Sequence, residues 1–260
     1  MAKHSDAQPD DATLAEELGE AIHERRLRLY YQPVVSLIDR VAKEVEALPR
    51  WPRNGDGEIL APPDFIGVAD RFDLLDELER WAIETAFEQL SRWHLTDLRV
   101  ALNFSEDHLY STLAEEIRAA AQRHGIEPRR LTLEVSETVL LELPGGRLQR
   151  LRQLAEIGVG LTVDDYSGTL PAEALGRLPT TALKISRRVV AGIPDASRPT
   201  EVAAAAIRLA ADLDLTVIAN GIESPGQLAA LRDMGCQYGQ GFLFSIPMPA
   251  EVLAERAARR

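Results

Sequence analysis

Cysteine is all but missing from this chain. Cys236 is the only one in 260 residues, so no intrachain disulfide can form, as suits a reducing compartment. Alone, it reads as a small buried hydrophobe rather than a nucleophile. Long apolar runs are missing as well. The nearest approach to the ~18 residues that a membrane helix needs runs from Val202 to Ala219, and Arg208, Asp212 and Asp214 interrupt it. The N-terminus has no charged segment leading into an apolar one, which excludes a signal peptide. Together these absences predict a cytoplasmic protein with no membrane span. Positive charge is also scarce. Lys and Arg total 29 against 41 Asp and Glu, for a formal net charge of −12. Polymeric nucleic acid is a poor partner for such a chain, because its recognition needs basic stripes that displace counterions. A small anionic ligand remains compatible if a few cations or metal ions compensate locally.

The composition that remains, 45% hydrophobic and 27% charged, is that of an ordinary globular protein. Residues 1–12 are polar and acidic and read as a disordered lead, with one domain over 13–260. Thr13 opens a helix with Glu16 three residues on, and Leu14, Leu18 and Ile22 form its apolar stripe. A β-like run follows over residues 29–35, where Pro33 argues for an edge or a strand end. A second run covers 41–48, and helical periodicity covers 73–93. Strands and helices then alternate: strands over 98–104, 131–135, 159–163, 182–185 and 215–219, helices over 106–124, 147–157, 172–178 and 200–213. Ser224-Pro225 starts another helix, and a last strand and helix fill 240–260. Such alternation means parallel βαβ units, in a barrel or an open sheet. No G-x-G-x-x-G follows a strand, which removes the main dinucleotide signature of the open sheet. The reading is one α/β unit, a TIM-like (β/α) barrel.

Most of these strands run out on residues that an apolar core rejects. Val45 leads to Glu46, Leu102 to Asn103, Leu133 to Glu134, Val163 to Asp164 and Asp165, Leu183 to Lys184, and Ala219 to Asn220, with Glu223 just beyond and Gln240 near the last strand. In a barrel the strand C-termini share one mouth, where chemistry sits. Taken singly, an Asp-Asp pair is as readily a helix cap or a solvated loop. Repetition at independent strand ends is what argues for a site. Clustered carboxylates repel one another unless a cation neutralises them. The donors are oxygens, and the five histidines show no ligand spacing, so Mg²⁺ or Mn²⁺ fits better than Zn²⁺. Asp164 and Asp165 suit a metal pair ~3.5–4 Å apart, the arrangement of phosphodiester hydrolysis. Lys184 can orient a water or neutralise a phosphate.

At these residues the chain resembles the EAL-domain family, whose active members are cyclic di-GMP phosphodiesterases. The resemblance rests on seven segments in order: Tyr31-Gln32-Pro33-Val34-Val35, Glu46-Ala47-Leu48 with Arg50-Trp51, Ala101-Leu102-Asn103-Phe104-Ser105, Leu133-Glu134-Val135-Ser136-Glu137-Thr138, Val163-Asp164-Asp165-Tyr166, Leu183-Lys184-Ile185, and Gln240-Gly241-Phe242-Leu243-Phe244-Ser245 with Pro247. It implies a modified barrel with one antiparallel strand. It implies a metal set of Glu46, Asn103, Glu134, Asp164, Asp165 and Asn220, catalytic roles for Lys184, Glu46 and Asp165, and ligand contacts at Gln32, Arg50, Glu223 and Gln240. The implied cofactor is Mg²⁺ or Mn²⁺, and the implied ligand is cyclic di-GMP, opened to linear pGpG. A homodimer or a regulatory protein partner is compatible with it.

Two departures bear on turnover, and two more are lesser changes. Relatives read Ala-Glu-Gly-x-Glu where this chain has Ala219-Asn220-Gly221-Ile222-Glu223. The missing carboxylate is a metal-site group also proposed as general base, and an amide cannot accept a proton at neutral pH. After the paired aspartates, relatives read Phe-Gly-Thr-Gly where this chain has Tyr166-Ser167-Gly168-Thr169-Leu170-Pro171. Glu44 stands where relatives have Gly, and Ser186 where they have Asp. The competing expectation is therefore a catalytically degenerate domain that acts as a cyclic di-GMP receptor or an interaction module.

Overall fold

The computed structural model describes residues 10–53, 57–93, 97–105, 109–141 and 145–258. The part of the expected lead at residues 1–9 lies outside the described residues, as does 106–108 of the helix expected from Glu106. The first helix opens before Thr13: α1 runs Asp11–His23, and the Asp10 side chain caps it by accepting from Thr13 N–H at 2.8 Å. An aspartate at this position satisfies an orphan backbone donor and faces the positive end of the helix dipole.

Then come β1 (Arg28–Ser36), β2 (Ala42–Arg53), β3 (Glu58–Leu60), α2 (Pro62–Arg71), α3 (Leu75–Arg92), β4 (Arg99–Asn103), α4 (Leu113–His124), β5 (Leu131–Ser136), α5 (Glu137–Leu141), α6 (Gly145–Glu156) and β6 (Gly160–Tyr166). After them follow α7 (Ala172–Leu175), β7 (Ala182–Ile185), α8 (Arg187–Ala191), α9 (Ser197–Asp212), β8 (Thr216–Asn220), α10 (Pro225–Asp233), β9 (Tyr238–Gln240), β10 (Met248–Pro249) and α11 (Ala250–Ala258).

Strands β2, β4, β5, β6, β7, β8 and β9 run parallel in that spatial order. β1 closes the ring, antiparallel to β2 on one side and to β9 on the other. The result is a closed eight-stranded barrel with one antiparallel strand, as the resemblance implied. β3 is an annex on β2, and β10 pairs with β1.

Pro33 is a correction. It lies inside β1, not at its end, paired with Val45 of β2. On the other flank β10 pairs with Tyr30 and Tyr31, while β9 pairs with Val35 and Ser36. Pro33 falls in the interval between them, where its missing N–H breaks no ladder on that flank.

The lumen is layered, as in barrels generally. Residues paired across parallel strands share a face, and i, i+2 neighbours on one strand do too. The lower layer holds Glu44, which accepts from Thr132 Oγ1 at 2.7 Å and lies 3.4 Å from Arg99 Nε. Gly160 lies beside it, where a Cβ would stand 2.9 Å from Thr132 Oγ1. Val34, paired with Glu44, packs with Ala182 and Ile218 against Tyr238. The upper layer is polar. Outside the barrel the helices press Leu, Ile, Val and Ala onto the sheet, and among the described residues no helix is long and apolar enough to cross a membrane.

Candidate active site

Five strands deliver the centre of the upper layer. Lys184 of β7 is fully buried, and its Nζ lies 2.7 Å from Glu134 Oε2 of β5, 2.9 Å from Glu46 Oε2 of β2 and 3.9 Å from Asp164 Oδ1 of β6. Asn103 of β4 donates through Nδ2 to Glu46 Oε1 at 2.6 Å. Gln240 of β9 donates to Glu46 Oε2 at 2.6 Å and to Gln32 Oε1 of β1 at 2.8 Å, and Gln32 donates in turn to the Ser245 carbonyl at 2.9 Å. Glu46, Asn103, Glu134, Asp164, Lys184, Gln32 and Gln240 are thus one connected group.

The paired aspartates owe their placement to a bulge. Val163 pairs with Leu183 and Tyr166 with Ile185, so two residues of β6 stand against one of β7. Asp165 takes a left-handed φ of 56° there, which Asp tolerates better than most residues. A regular strand would send the two carboxylates to opposite faces. Asp165 is exposed and Asp164 half-buried. Asn220 ends β8, paired with Gln240.

Two expected ligand contacts lie outside the connected group. Glu223 is on the rim, where it accepts from Arg187 Nη2 at 2.7 Å, and the Arg187 guanidinium sits 5.7 Å from the Phe242 ring centroid. Arg50 is half-buried, donates to the Pro49 carbonyl at 2.9 Å and lies over the Tyr30 ring.

Burial pushes Glu46 up, but the Lys184 charge and the donors Lys184, Gln240 and Asn103 outweigh it and hold the carboxyl below its ordinary range. Burial drives Glu134 well above that range, and the charges of Glu46 and Asp164 add to the effect against the pull of Lys184. Asp164 is raised for the same reason, burial first. Lys184 stays protonated: burial works against its charge, and Glu134, Glu46 and Asp164 overcome that. One ammonium thus faces three carboxylates, and the two raised ones measure the remaining deficit of positive charge.

Among the described residues no three carboxylates are gathered around one point so as to hold an ion, and the Lys184 ammonium stands among them. Yet Glu134 Oε1, Asp164 Oδ1 and Gln240 Oε1 are buried oxygens with no hydrogen-bond partner among the described residues. Buried acceptors without a hydrogen bond, all oxygen, in a charge-deficient cluster fit a hard divalent cation.

Glu137 escaped the sequence reading as a site residue. It is 2% exposed and accepts from Ser167 N–H (2.8 Å), Ser167 Oγ (2.7 Å), Thr169 N–H (2.7 Å) and Leu170 N–H (2.6 Å). It thereby fastens the loop after the aspartates. Its signal in the sequence is its place in the segment Leu133-Glu134-Val135-Ser136-Glu137-Thr138, as a second carboxylate three residues after Glu134.

A sequence profile described as the EAL domain matches residues 15–247. The chain is 38% identical to the cyclic di-GMP phosphodiesterase NbdA of Pseudomonas aeruginosa over 93% of its own length and 31% of that protein. It is 33% identical to the bifunctional diguanylate cyclase/cyclic di-GMP phosphodiesterase MucR of the same organism, over 94% of its length and 36% of that protein. The chain therefore spans about a third of the length of these curated relatives. Its fold matches the MucR phosphodiesterase solved with c-di-GMP at a TM-score of 0.87 and 33% identity, covering 93% of this chain and 99% of that one. An EAL domain protein from Listeria monocytogenes matches at 0.84 and 25%, covering 98% and 100%.

Proposed function

This chain belongs to the EAL-domain family, and from that premise we propose that it is a cyclic di-GMP phosphodiesterase that opens one phosphodiester of the ring to give linear pGpG. The observation that carries this reading is the convergence of Glu46, Asn103, Glu134, Asp164 and Lys184 on one lumen layer, with two carboxylate oxygens that have no hydrogen-bond donor among the described residues.

In this reading Glu46, Asn103, Glu134 and Asp164 hold one Mg²⁺ or Mn²⁺, and Asp165 with Asn220 supports a second. The ions, when bound, neutralise the phosphate and acidify a water. The protein groups divide the remaining work. Lys184 cannot accept a proton, since its carboxylate neighbours keep it charged, so it orients the nucleophile as a donor. Glu46 is saturated by Asn103, Lys184 and Gln240, which makes it an ionised ligand rather than a base. Asn220 is a neutral amide. Asp165, exposed at the mouth, is left to take the proton of the attacking water. Gln32 and Gln240 fix the Glu46 side of the site, and Arg50 supplies a guanidinium for phosphate.

The test is direct: purified protein, Mn²⁺ and cyclic di-GMP, with chromatography for pGpG. Accumulation of pGpG supports the enzyme. Asn220 favours the second reading, a receptor, and that reading prevails if calorimetry in Ca²⁺ records binding while no pGpG forms in Mn²⁺.

A further inference from the structure

Thr162 of β6 is 2% exposed, and its Oγ1 has no hydrogen-bond partner among the described residues. It is register-paired with Glu134, so both side chains lie on the lumen face, and Asp164 is the next residue on that face of β6. Glu134 Oε1 and Asp164 Oδ1 are the neighbouring oxygens that also lack a partner among the described residues. Three buried oxygens on neighbouring positions of two hydrogen-bonded strands thus lack a hydrogen-bond partner among the described residues, Asp164 Oδ1 having only the Lys184 ammonium at 3.9 Å, and a buried polar group left so carries a desolvation penalty of about 1–3 kcal/mol.

The donor count closes with one water. The Thr162 hydroxyl donates to it, and its two hydrogens go to Glu134 Oε1 and Asp164 Oδ1. That is three hydrogen bonds, the usual complement of a buried water. Each carboxylate oxygen keeps a lone pair for an ion. We infer that Thr162 is a positioning residue. Through a buried bridging water its hydroxyl fixes Glu134 and Asp164 in the orientation that receives a divalent cation. This rests on the reading of Glu134 and Asp164 as metal ligands given above. Groups behind the ligands commonly carry a 10–100-fold effect on metal affinity.

The test compares Thr162→Val, which keeps the volume and removes the hydroxyl, with Thr162→Ser, which keeps the hydroxyl. Mn²⁺ affinity is read by calorimetry, and melting temperature by calorimetry in EDTA. The expected result for Thr162→Val is a ~10-fold or greater loss of Mn²⁺ affinity with a lower melting temperature, while Thr162→Ser stays near wild type in Mn²⁺ affinity. A Val variant that melts at or above wild type and binds Mn²⁺ equally overturns the inference, because the hydroxyl would then have no partner to lose. A lower melting temperature with unchanged Mn²⁺ affinity overturns it too, since the hydroxyl would be structural only. Wild-type protein that takes up no Mn²⁺ overturns the metal reading, and this inference falls with it.

Discussion

At the scale of the residue, the proposed function makes Asn220 the position that sets the rate. In that proposal an amide in place of a carboxylate removes one negative charge from the cation-binding cluster and one proton acceptor from the mouth. Asn220→Glu is expected to raise pGpG formation at least ~10-fold, about 1.4 kcal/mol of barrier, a partial recovery of the ~10²–10⁴-fold that a general base contributes. Brisk wild-type hydrolysis that the change leaves untouched would sink this account. Glu134 and Asp164 make a second prediction. Both carboxyls are raised in the folded protein. The folded state then binds more protons than the unfolded one above the ordinary carboxylate range, so stability falls as pH rises through that window. Glu46 is lowered, and its contribution is lost only below that range. Metal-free protein is thus expected to resist urea better at pH 5.5 than at pH 8, and Mn²⁺ should shrink the difference. Equal midpoints at the two pH values in EDTA would contradict it. Cys236 is 4% exposed with its thiol pushed up to about 12 by burial, so thiol reagents should label it only after unfolding.

At the scale of the element, the loop after β6 hangs on one side chain. Glu137 accepts three backbone N–H groups and one hydroxyl from residues 167–170. Glu137→Gln puts a donor where only acceptors fit. It should cost about 1–3 kcal/mol of stability and speed amide exchange at Ser167, Thr169 and Leu170 ahead of the barrel strands. Exchange unchanged at those three amides would show that the loop is held by something else. Elements of regular period were legible from the sequence: β7 appears at 182–185 as expected, and α3, α6 and α9 within a few residues, whereas the helix expected from Glu106 begins only at Leu113, residues 109–112 being non-helical. The illegible ones were short or broken. α2 holds Phe65, Val68 and Ala69 at helical spacing, but paired prolines and Gly67 mask the pattern. α5 and α8 are five residues each, too short for a period to show. Pro33 misled because one flank of β1 is shared by two partners.

At the scale of the whole molecule, the site was legible because polar residues interrupted seven apolar strand runs, although Glu46 and Glu134 lie inside β2 and β5 rather than at their ends as the sequence suggested. What the sequence could not supply was the side-chain pairing: that Lys184 sits at the centre, that Glu223 turns to Arg187, and that Thr162 Oγ1 has no hydrogen-bond partner among the described residues. A net charge of −12 makes a cyclic dinucleotide an unwelcome ligand without counter-cations. Removing divalent ions with EDTA should therefore weaken cyclic di-GMP binding by more than ~10-fold, read by calorimetry against protein in Ca²⁺. Equal affinity in EDTA and Ca²⁺ would mean that Arg50 and the rim suffice. The closure of the barrel also has a consequence for its manufacture. β1 meets β9 and β10 across about 200 residues of chain. At ~5–20 residues per second, a ribosome takes roughly ten to forty seconds to make that interval. Throughout it the first strand has β2 on one flank and an unpaired row of amides and carbonyls on the other. The nascent chain must be shielded from its neighbours for that time, and the last strands to emerge are the ones that end the need for it.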